Sequence, residues 1–314
     1  MIKNIRMEKI NLKNLHKVFI LLKRKISNVI YSFILTFKYR CSHPPQPHFL
    51  SIVAIIKNEA PYIAEWIEYH LLVGVEKFYL YDNESADNLK EILEPYIRDG
   101  IVEYKYFPGK GKQILAYNDV LEKARKETHW LAVIDIDEFI VPISTATIPE
   151  FLKDFEMFPG IEINWIMYAS SGQKDKKQGL VIERFKDHSS IEFAPNRYVK
   201  TILNPRLTTH IMVHDSESIL WKNNVNANKE KAKPFCYYRE GVFDKIRINH
   251  YFTKSFEEYI FKRNRGRGTN YKEKRSITDF YDYDRNDVIK NDNIMDKYIP
   301  MILSNIERKH KIKL

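Results

Sequence analysis

The residues of this chain best placed to do chemistry are two acids separated by one residue, Asp135 and Asp137, at the end of the apolar run Trp130 to Ile134. In an extended chain, side chains at i and i+2 leave the same face, so both carboxylates can reach one cation. Hard oxygen donors suit Mg²⁺ or Mn²⁺, and these ions in turn hold phosphate oxygens. A sugar nucleotide has a diphosphate leaving group that gains charge as its glycosidic bond breaks. A cation there acts as a Lewis acid and fixes the donor. The same pair in an ordinary acidic loop would face solvent or helix N-termini, so the elements around it have to decide.

Those elements alternate. Leu50 to Ile56 is a short Ile/Val-rich run that predicts a buried strand, and Pro61 to Val73 carries Ile63, Trp66, Ile67 and Leu71 at helical spacing. Pro61 suits a first helical turn and Gly74 a stop. Lys77 to Tyr81 predicts a second strand, Asp87 to Tyr96 a helix, Ile101 to Tyr106 a third strand, Gln113 to Lys126 a helix and Trp130 to Ile134 a fourth strand. This order predicts a mostly parallel, Rossmann-like sheet flanked by helices. In such sheets ligands bind beyond the carboxyl ends of the strands. The polar groups Lys57-Asn58-Glu59, Asp82-Asn83 and Asp135/Asp137 each follow a strand, so all three are expected on one edge. Beyond residue 150 the alternation weakens. Gly160 to Trp165 and Leu180 to Phe185 predict short strands, and Phe256 to Arg267 a basic helix within a C-terminal cap.

With 314 residues, 44% hydrophobic and 13% aromatic, the chain can bury a large core. The net charge of +10 is concentrated towards the ends, from Lys3 to Arg40 and from Arg308 to Lys313. It forms no basic stripe interleaved with stacking aromatics, which argues against a nucleic-acid partner. The two cysteines, Cys41 and Cys236, form no CxxC pair, so neither a disulfide framework nor a structural zinc site is expected, and a reducing, cytoplasmic setting is. Apolar Val18 to Leu22 and Ile26 to Leu35 are split by Lys23-Arg24-Lys25. That fits a basic amphipathic helix on the inner face of a membrane better than a span of roughly 20 apolar residues. A helix packed on the domain is the plainer alternative. Pro44, Pro45 and Pro47 read as a linker.

Taken together, several motifs resemble glycosyltransferase family 92 and related GT2-like enzymes. They are Ile55 to Glu59, Tyr62 to His70 with Gly74-Val75, Tyr81 to Asp87, Gln113, and Trp130 to Phe139 with its Asp-Ile-Asp-Glu-Phe. Asn164-Trp165, Ser170-Ser171-Gly172, Glu183-Arg184-Phe185 and Asn249 to Ser255 add to the likeness, which covers residues 50 to 268. The resemblance implies a GT-A fold, an inverting hexosyl transfer, a nucleotide-sugar donor (a UDP-sugar first among them) and a divalent metal. By that analogy Asp137 is a direct metal ligand, Asp135 contacts the ribose or helps hold the metal, and His250 completes the metal site, with His210 and His214 as competitors. Asp82 is expected near the base or ribose, with Lys57, Asn58 and Glu59 in the same pocket and Gln113 facing the donor. Lys200, Arg247 and the run Lys262 to Arg267 are expected to neutralise the diphosphate. An inverting transfer needs a carboxylate to accept the acceptor's proton, and Asp175 and Glu183 are the candidates. Gln173 stands where a histidine is common in the family, which puts the acceptor contacts in doubt.

The expected organisation is a basic N-terminal helix and linker (1–47), a transferase domain (48–268, dividing into a donor half 48–142 and an acceptor half 143–268), and a C-terminal helical extension (269–314). The expected acceptor is a glycan or a lipid-linked glycan in surface polysaccharide or lipopolysaccharide synthesis. Two other readings share the acids. A nucleotidyltransferase would want a Gly/Arg-rich loop where Lys57-Asn58-Glu59-Ala60-Pro61 stands, and a non-catalytic glycan-binding protein would have little need of intact Asp135, Asp137 and His250.

Overall fold

The computed structural model describes residues 26, 29–30, 32–38, 44–220, 222–232, 238, 240–266, 268, 275–284 and 288–310. Most of the expected basic helix and its charged interruption lies outside the described residues. Residues 32–38 are helical, and buried Leu35 packs with Ile219 while the Ser32 hydroxyl accepts from the Leu220 N–H at 3.0 Å. Among the described residues no helix is long and apolar enough to cross a membrane.

The alternating half folds as its pattern predicts. Strand β1 (His48–Ile56) is followed by helix α1 (Ala60–Leu72), β2 (Lys77–Asp82), α2 (Leu89–Arg98), β3 (Val102–Tyr106), α3 (Gln113–Glu127) and β4 (Thr128–Val133). The strands pair in parallel in the order β3-β2-β1-β4. Period-2 alternation sends Leu50, Ile52, Ala54 and Ile56 to the face covered by α1 and α2. Val53, Tyr79, Leu131 and Val133 face the other way, against Ala116, Tyr117 and Val120 of α3. Three layers result, with the sheet buried on both sides. Gly74 ends α1 at φ +99°, and a Cβ there would lie 2.6 Å from Pro149 Cδ, so that stop requires glycine.

The second half extends the same sheet by mixed pairing. Its elements are β5 (Glu138–Pro142), α4 (Ile148–Leu152), β6 (Gly160–Met167), α5 (Val181–Arg184), β7 (His188–Ser189), β8 (Val199–Leu203), β9 (Thr208–Ile211), β10 (Ser216–Ser218), β11 (Val225–Asn226), β12 (Ile246–His250), α6 (Phe256–Arg265), α7 (Ile277–Tyr283), β13 (Val288–Ile289) and α8 (Ile299–His310). β8 lies antiparallel between β4 and β6, β12 runs parallel to β6, and β5 closes the edge antiparallel to β12, giving nine strands in the sheet with β11 alongside β6. The architecture is thus the expected mixed α/β fold, a mostly parallel sheet flanked by helices. Helix α8 returns to the first half and packs on α1 and α2, and Tyr298 in the turn just before it stands edge-on to Tyr69 at 5.1 Å.

Two local expectations are corrected. Leu180 to Phe185 is not a strand: Val181 to Arg184 is a helical turn. Its exposed N-terminal amides are taken by a buried carboxylate, the Val181 and Ile182 N–H groups donating to Glu65 at 2.8 and 2.9 Å. That partner is 116 residues away in sequence, so no local pattern announces it. Asp135 and Asp137 also do not sit in extended chain. They occupy a turn between β4 and β5, closed by the Glu138 N–H donating to the Asp135 carbonyl at 3.1 Å.

Candidate active site

Beyond the carboxyl ends of β1 and β4 the sheet opens into a cleft of about 550 Å³. Both aspartates line it, and each is met by a lysine from the second half. Lys200, buried on β8, donates to Asp135 Oδ2 at 2.8 Å and stands 3.7 Å from Glu138. Asp135 Oδ1 also accepts from Gln113 Nε2 at 3.1 Å and from the Tyr117 hydroxyl at 3.2 Å. Burial pushes the Asp135 carboxyl up, but the Lys200 ammonium outweighs it and holds it below the usual range. Glu138, fully buried with its Oε2 accepting from the Asp135 N–H at 2.9 Å, is held well above the usual carboxylate range by that burial.

Asp137 is the centre of a second group. Its Oδ2 accepts from Lys262 of α6 and lies 3.5 Å from His250 Nε2. Burial again raises this carboxyl, and the charges of Lys262 and His250 reverse the effect, taking it well below the usual range. Burial lowers the Lys262 ammonium to about 8 despite its partner. The same ammonium donates to the Phe252 carbonyl at 2.9 Å and sits 4.1 Å from the centre of the Phe252 ring. His250 packs on Trp165 with ring centres 4.5 Å apart, and its Nδ1 is buried with no hydrogen-bond partner among the described residues.

Helix α6 is fixed so that Lys262 and Arg265 reach the cleft. Ser255 and Glu258 form a capping box at its start. Glu258 also takes a bidentate pair from Arg184 at 2.8 and 3.0 Å and the Tyr62 hydroxyl at 2.9 Å. At its other end Arg265 pairs with Glu59 and donates to the Lys57 carbonyl, tying the helix to the loop after β1.

Of the expected site residues, Lys57, Glu59, Gln113, Asp135, Asp137, His250, Lys200 and Lys262 are brought together around this cleft. Gln113 is buried against Asp135 rather than capping a helix in solvent. Asp82 does not line the cleft. Its carboxylate accepts from the Tyr104 hydroxyl at 2.6 Å and from the Ser85 N–H at 2.9 Å, which makes it a turn former. Asn58, at φ +51°, stays outside too and accepts from the Ala86 N–H at 2.7 Å. Asp175 and Glu183 are both exposed and away from the cleft, and Arg184 pairs with Glu258 rather than with its neighbour Glu183. Arg247 is turned to the opposite side, paired with Asp292 and donating to the Tyr168 hydroxyl at 3.1 Å. The sequence reading missed Tyr117 and Glu138, whose contacts depend on which faces α3 and β5 present to the turn.

Asp137 and His250 are the side chains through which this cleft could hold a cation. Their donor atoms lie within reach of one ion, whereas Asp135 is already committed to three donors. Among the described residues no cluster of three or more His, Cys, Asp or Glu is arranged for a metal. The fit is therefore to an open two-ligand site, of the kind Mg²⁺ and Mn²⁺ complete with water and phosphate oxygens, and Lys262 must leave Asp137 for it to fill.

The sequence profile described as glycosyltransferase family 92 matches residues 52–298, most of the chain. The chain belongs to glycosyltransferase family 92. A family 92 protein of Oryza sativa subsp. japonica is 29% identical over 116 residues, 36% of this chain and 20% of that protein. One from Arabidopsis thaliana is 24% identical over 219 residues, 65% and 37% respectively. A galactan beta-1,4-galactosyltransferase of Arabidopsis thaliana is 26% identical over 192 residues, 56% of this chain and 38% of that one. The matched segments thus span well under half of these relatives. Among solved structures, S. aureus TarS 1-349 is 15% identical, covers 68% of this chain and 63% of its own, and gives a TM-score of 0.38. For this family 92 member the match runs past residue 268 and includes α7.

Proposed function

We propose that the chain transfers a hexose from a nucleotide-sugar donor, a UDP-sugar, to a glycan or lipid-linked acceptor in surface polysaccharide or lipopolysaccharide synthesis, at the cleft around Asp135 and Asp137. One observation carries this reading: two acids at the end of β4, paired directly with lysines from β8 and α6, line a cleft of about 550 Å³ that has Arg265 and Arg275 on its walls. A diphosphate needs such cationic walls, because charge accumulates on its oxygens as the glycosidic bond breaks. Membership of a glycosyltransferase family, and galactan galactosyltransferases among the relatives, support the same assignment.

The two lysines have different parts in it. Lys200 is wholly buried between Asp135 and Glu138, so it fixes the turn and its charge stays in place. Lys262 has one acidic partner and a carbonyl, and moves from Asp137 to a phosphate oxygen when the donor enters. Asp137 and His250 would then hold Mn²⁺ or Mg²⁺, which when bound supplies Lewis-acid stabilisation of the leaving diphosphate. Inversion at the anomeric carbon, and peripheral membrane contact through the basic N-terminal segment in the cytoplasm, belong to the same proposal.

The test is nucleotide release and sugar transfer from UDP-galactose and UDP-GlcNAc, with and without Mn²⁺, with donor binding followed by thermal shift. Donor-dependent stabilisation and Mn²⁺-stimulated release are expected. A chain stabilised by neither donor in either condition would sink the reading, and the anomeric configuration of the product, read by NMR, decides inversion.

A further inference from the structure

The acids lining the cleft are all engaged. Glu59 pairs with Arg265, Glu84 lies 3.9 Å from Lys57, Asp135 and Asp137 hold their lysines, and Asp279 accepts from the Ser276 N–H at 3.0 Å in a capping box. The two carboxylates expected to take the acceptor's proton lie elsewhere on the surface. Attention therefore turns to an acceptor of another residue type on the same walls.

His214 answers that need. It lines the cleft from the loop between β9 and β10. The loop is tied to β8 twice: the Thr201 hydroxyl donates to the His214 carbonyl at 2.9 Å, and His214 Nδ1 lies 3.0 Å from the Val199 carbonyl oxygen. A carbonyl oxygen only accepts, so Nδ1 carries the ring proton and Nε2 keeps its lone pair. That Nε2 has no hydrogen-bond partner among the described residues. The ring stands edge-on to Trp165 at 5.3 Å, and Trp165 lies against His250 at 4.5 Å, so the imidazole is one aromatic ring removed from the Asp137 group. Trp165 lines the same wall. Such a wall, a flat aromatic beside a fixed acceptor, suits a sugar ring presenting one hydroxyl.

We propose that His214 is the catalytic base of the transfer, its Nε2 accepting the proton of the acceptor hydroxyl. This rests on the donor reading above. In the step, the hydroxyl O–H bond breaks and its proton passes to Nε2. The oxygen bonds to the anomeric carbon of the donor, and the electron pair of the bond from that carbon to phosphate oxygen leaves with the nucleoside diphosphate. Burial and the nearby Lys200 hold the imidazole down at about 4, so it enters the cycle unprotonated. A diphosphate arriving beside it adds negative charge and raises its proton affinity.

The experiment compares the full-length chain with H214A and H214Q, using UDP-galactose and UDP-GlcNAc with Mn²⁺, water and a galacto-oligosaccharide as acceptors. Donor affinity by thermal shift is expected to stay within about threefold, while turnover falls about 10²–10⁴-fold in both variants. Added imidazole should restore part of the turnover of H214A. H214Q retains a hydrogen-bonding side chain but takes no proton at neutral pH, so it must remain as slow as H214A. Turnover recovered in H214Q, variants as fast as wild type, or donor affinity lost along with turnover would each overturn the proposal. A wild-type chain that binds neither sugar nucleotide overturns the donor reading itself, and the base with it.

Discussion

Three paired acids of the cleft, Glu59, Asp135 and Asp137, come from the first half of the sheet, and the cations that hold them come from the second. The first, β1 to β4 with α1 to α3, is built by short parallel steps and delivers the acids and Gln113 at strand ends and the first turn of a helix. The second, β5 to β12 with α6, is built by mixed and distant pairing and delivers Lys200, His214, His250 and Lys262. Acids placed by local structure are thus held by cations placed by tertiary structure. Removing an acid should strike chemistry, whereas removing a buried cation should strike folding, because it strands a charge inside the protein.

The largest effect is expected at Asp137. Asp137→Ala removes the shared partner of Lys262 and His250, and turnover should fall by about 10²–10³-fold or more. Lys262 and His250 are then left beside the void, so donor-induced stabilisation should become insensitive to Mn²⁺. A variant that keeps its Mn²⁺ response would show that the acid from the first half does not organise the cleft.

Lys200→Met reverses the experiment. It leaves part-exposed Asp135 and buried Glu138 without a cation, and unfolding stability should fall by about 1–3 kcal/mol, less than for a fully buried pair because Asp135 reaches solvent. Chemical denaturation measures it. A loss below about 1 kcal/mol would mean the turn is held by Gln113 and Tyr117 alone and the contrast between the halves is false.

A comparable effect, with a defined pH signature, is expected at Glu258. Burial raises its carboxyl, but Arg184 and Ser255 outweigh this and hold it at about 2, against an ordinary 4.5. A carboxyl lowered in the folded state stabilises above its unfolded value and loses that contribution as pH falls. Between about pH 4.5 and 2 the chain should therefore lose about 3 kcal/mol from this group. Glu65 runs the other way. Burial raises it to about 7, so its unfavourable ionisation grows as pH climbs from about 4.5 to 7 and is complete above that. Glu258→Gln should flatten the acid limb of the stability curve and leave the limb between pH 4.5 and 7 unchanged, which denaturant titrations at several pH values would show.

This contrast also marks what the sequence made legible. Strands β1 to β4 and helices α1 to α3 were readable because each is a run of one periodicity closed by its own proline, glycine or turn. The aspartates, Gln113, Lys200, Lys262 and His250 were readable as chemistry-bearing residues, but their partners were not. That Lys262 rather than Arg247 faces Asp137 depends on which side of β12 Arg247 takes and on where α6 docks. Helix α5 was misread as a strand because Leu180 to Phe185 is short and apolar, and what makes it helical is the carboxylate of Glu65. In the sequence His214 stood only as a competitor of His250 for the metal, since the bond fixing its tautomer comes from a strand fifteen residues earlier.

The smallest expected effect tests that last point. Asp175 and Glu183 are exposed, lie outside the cleft, and are not held by the buried Arg184 pair. Asp175→Ala and Glu183→Ala should each change stability by no more than about 0.5 kcal/mol, as exposed substitutions do. Their turnover should stay within about twofold of wild type. A 10²-fold loss in either variant, with donor binding intact, would return the proton-accepting role to a carboxylate. It would also require the loops carrying these acids to close over the cleft during turnover, and the acceptor wall formed by Trp165 and His214 would then be only part of the site.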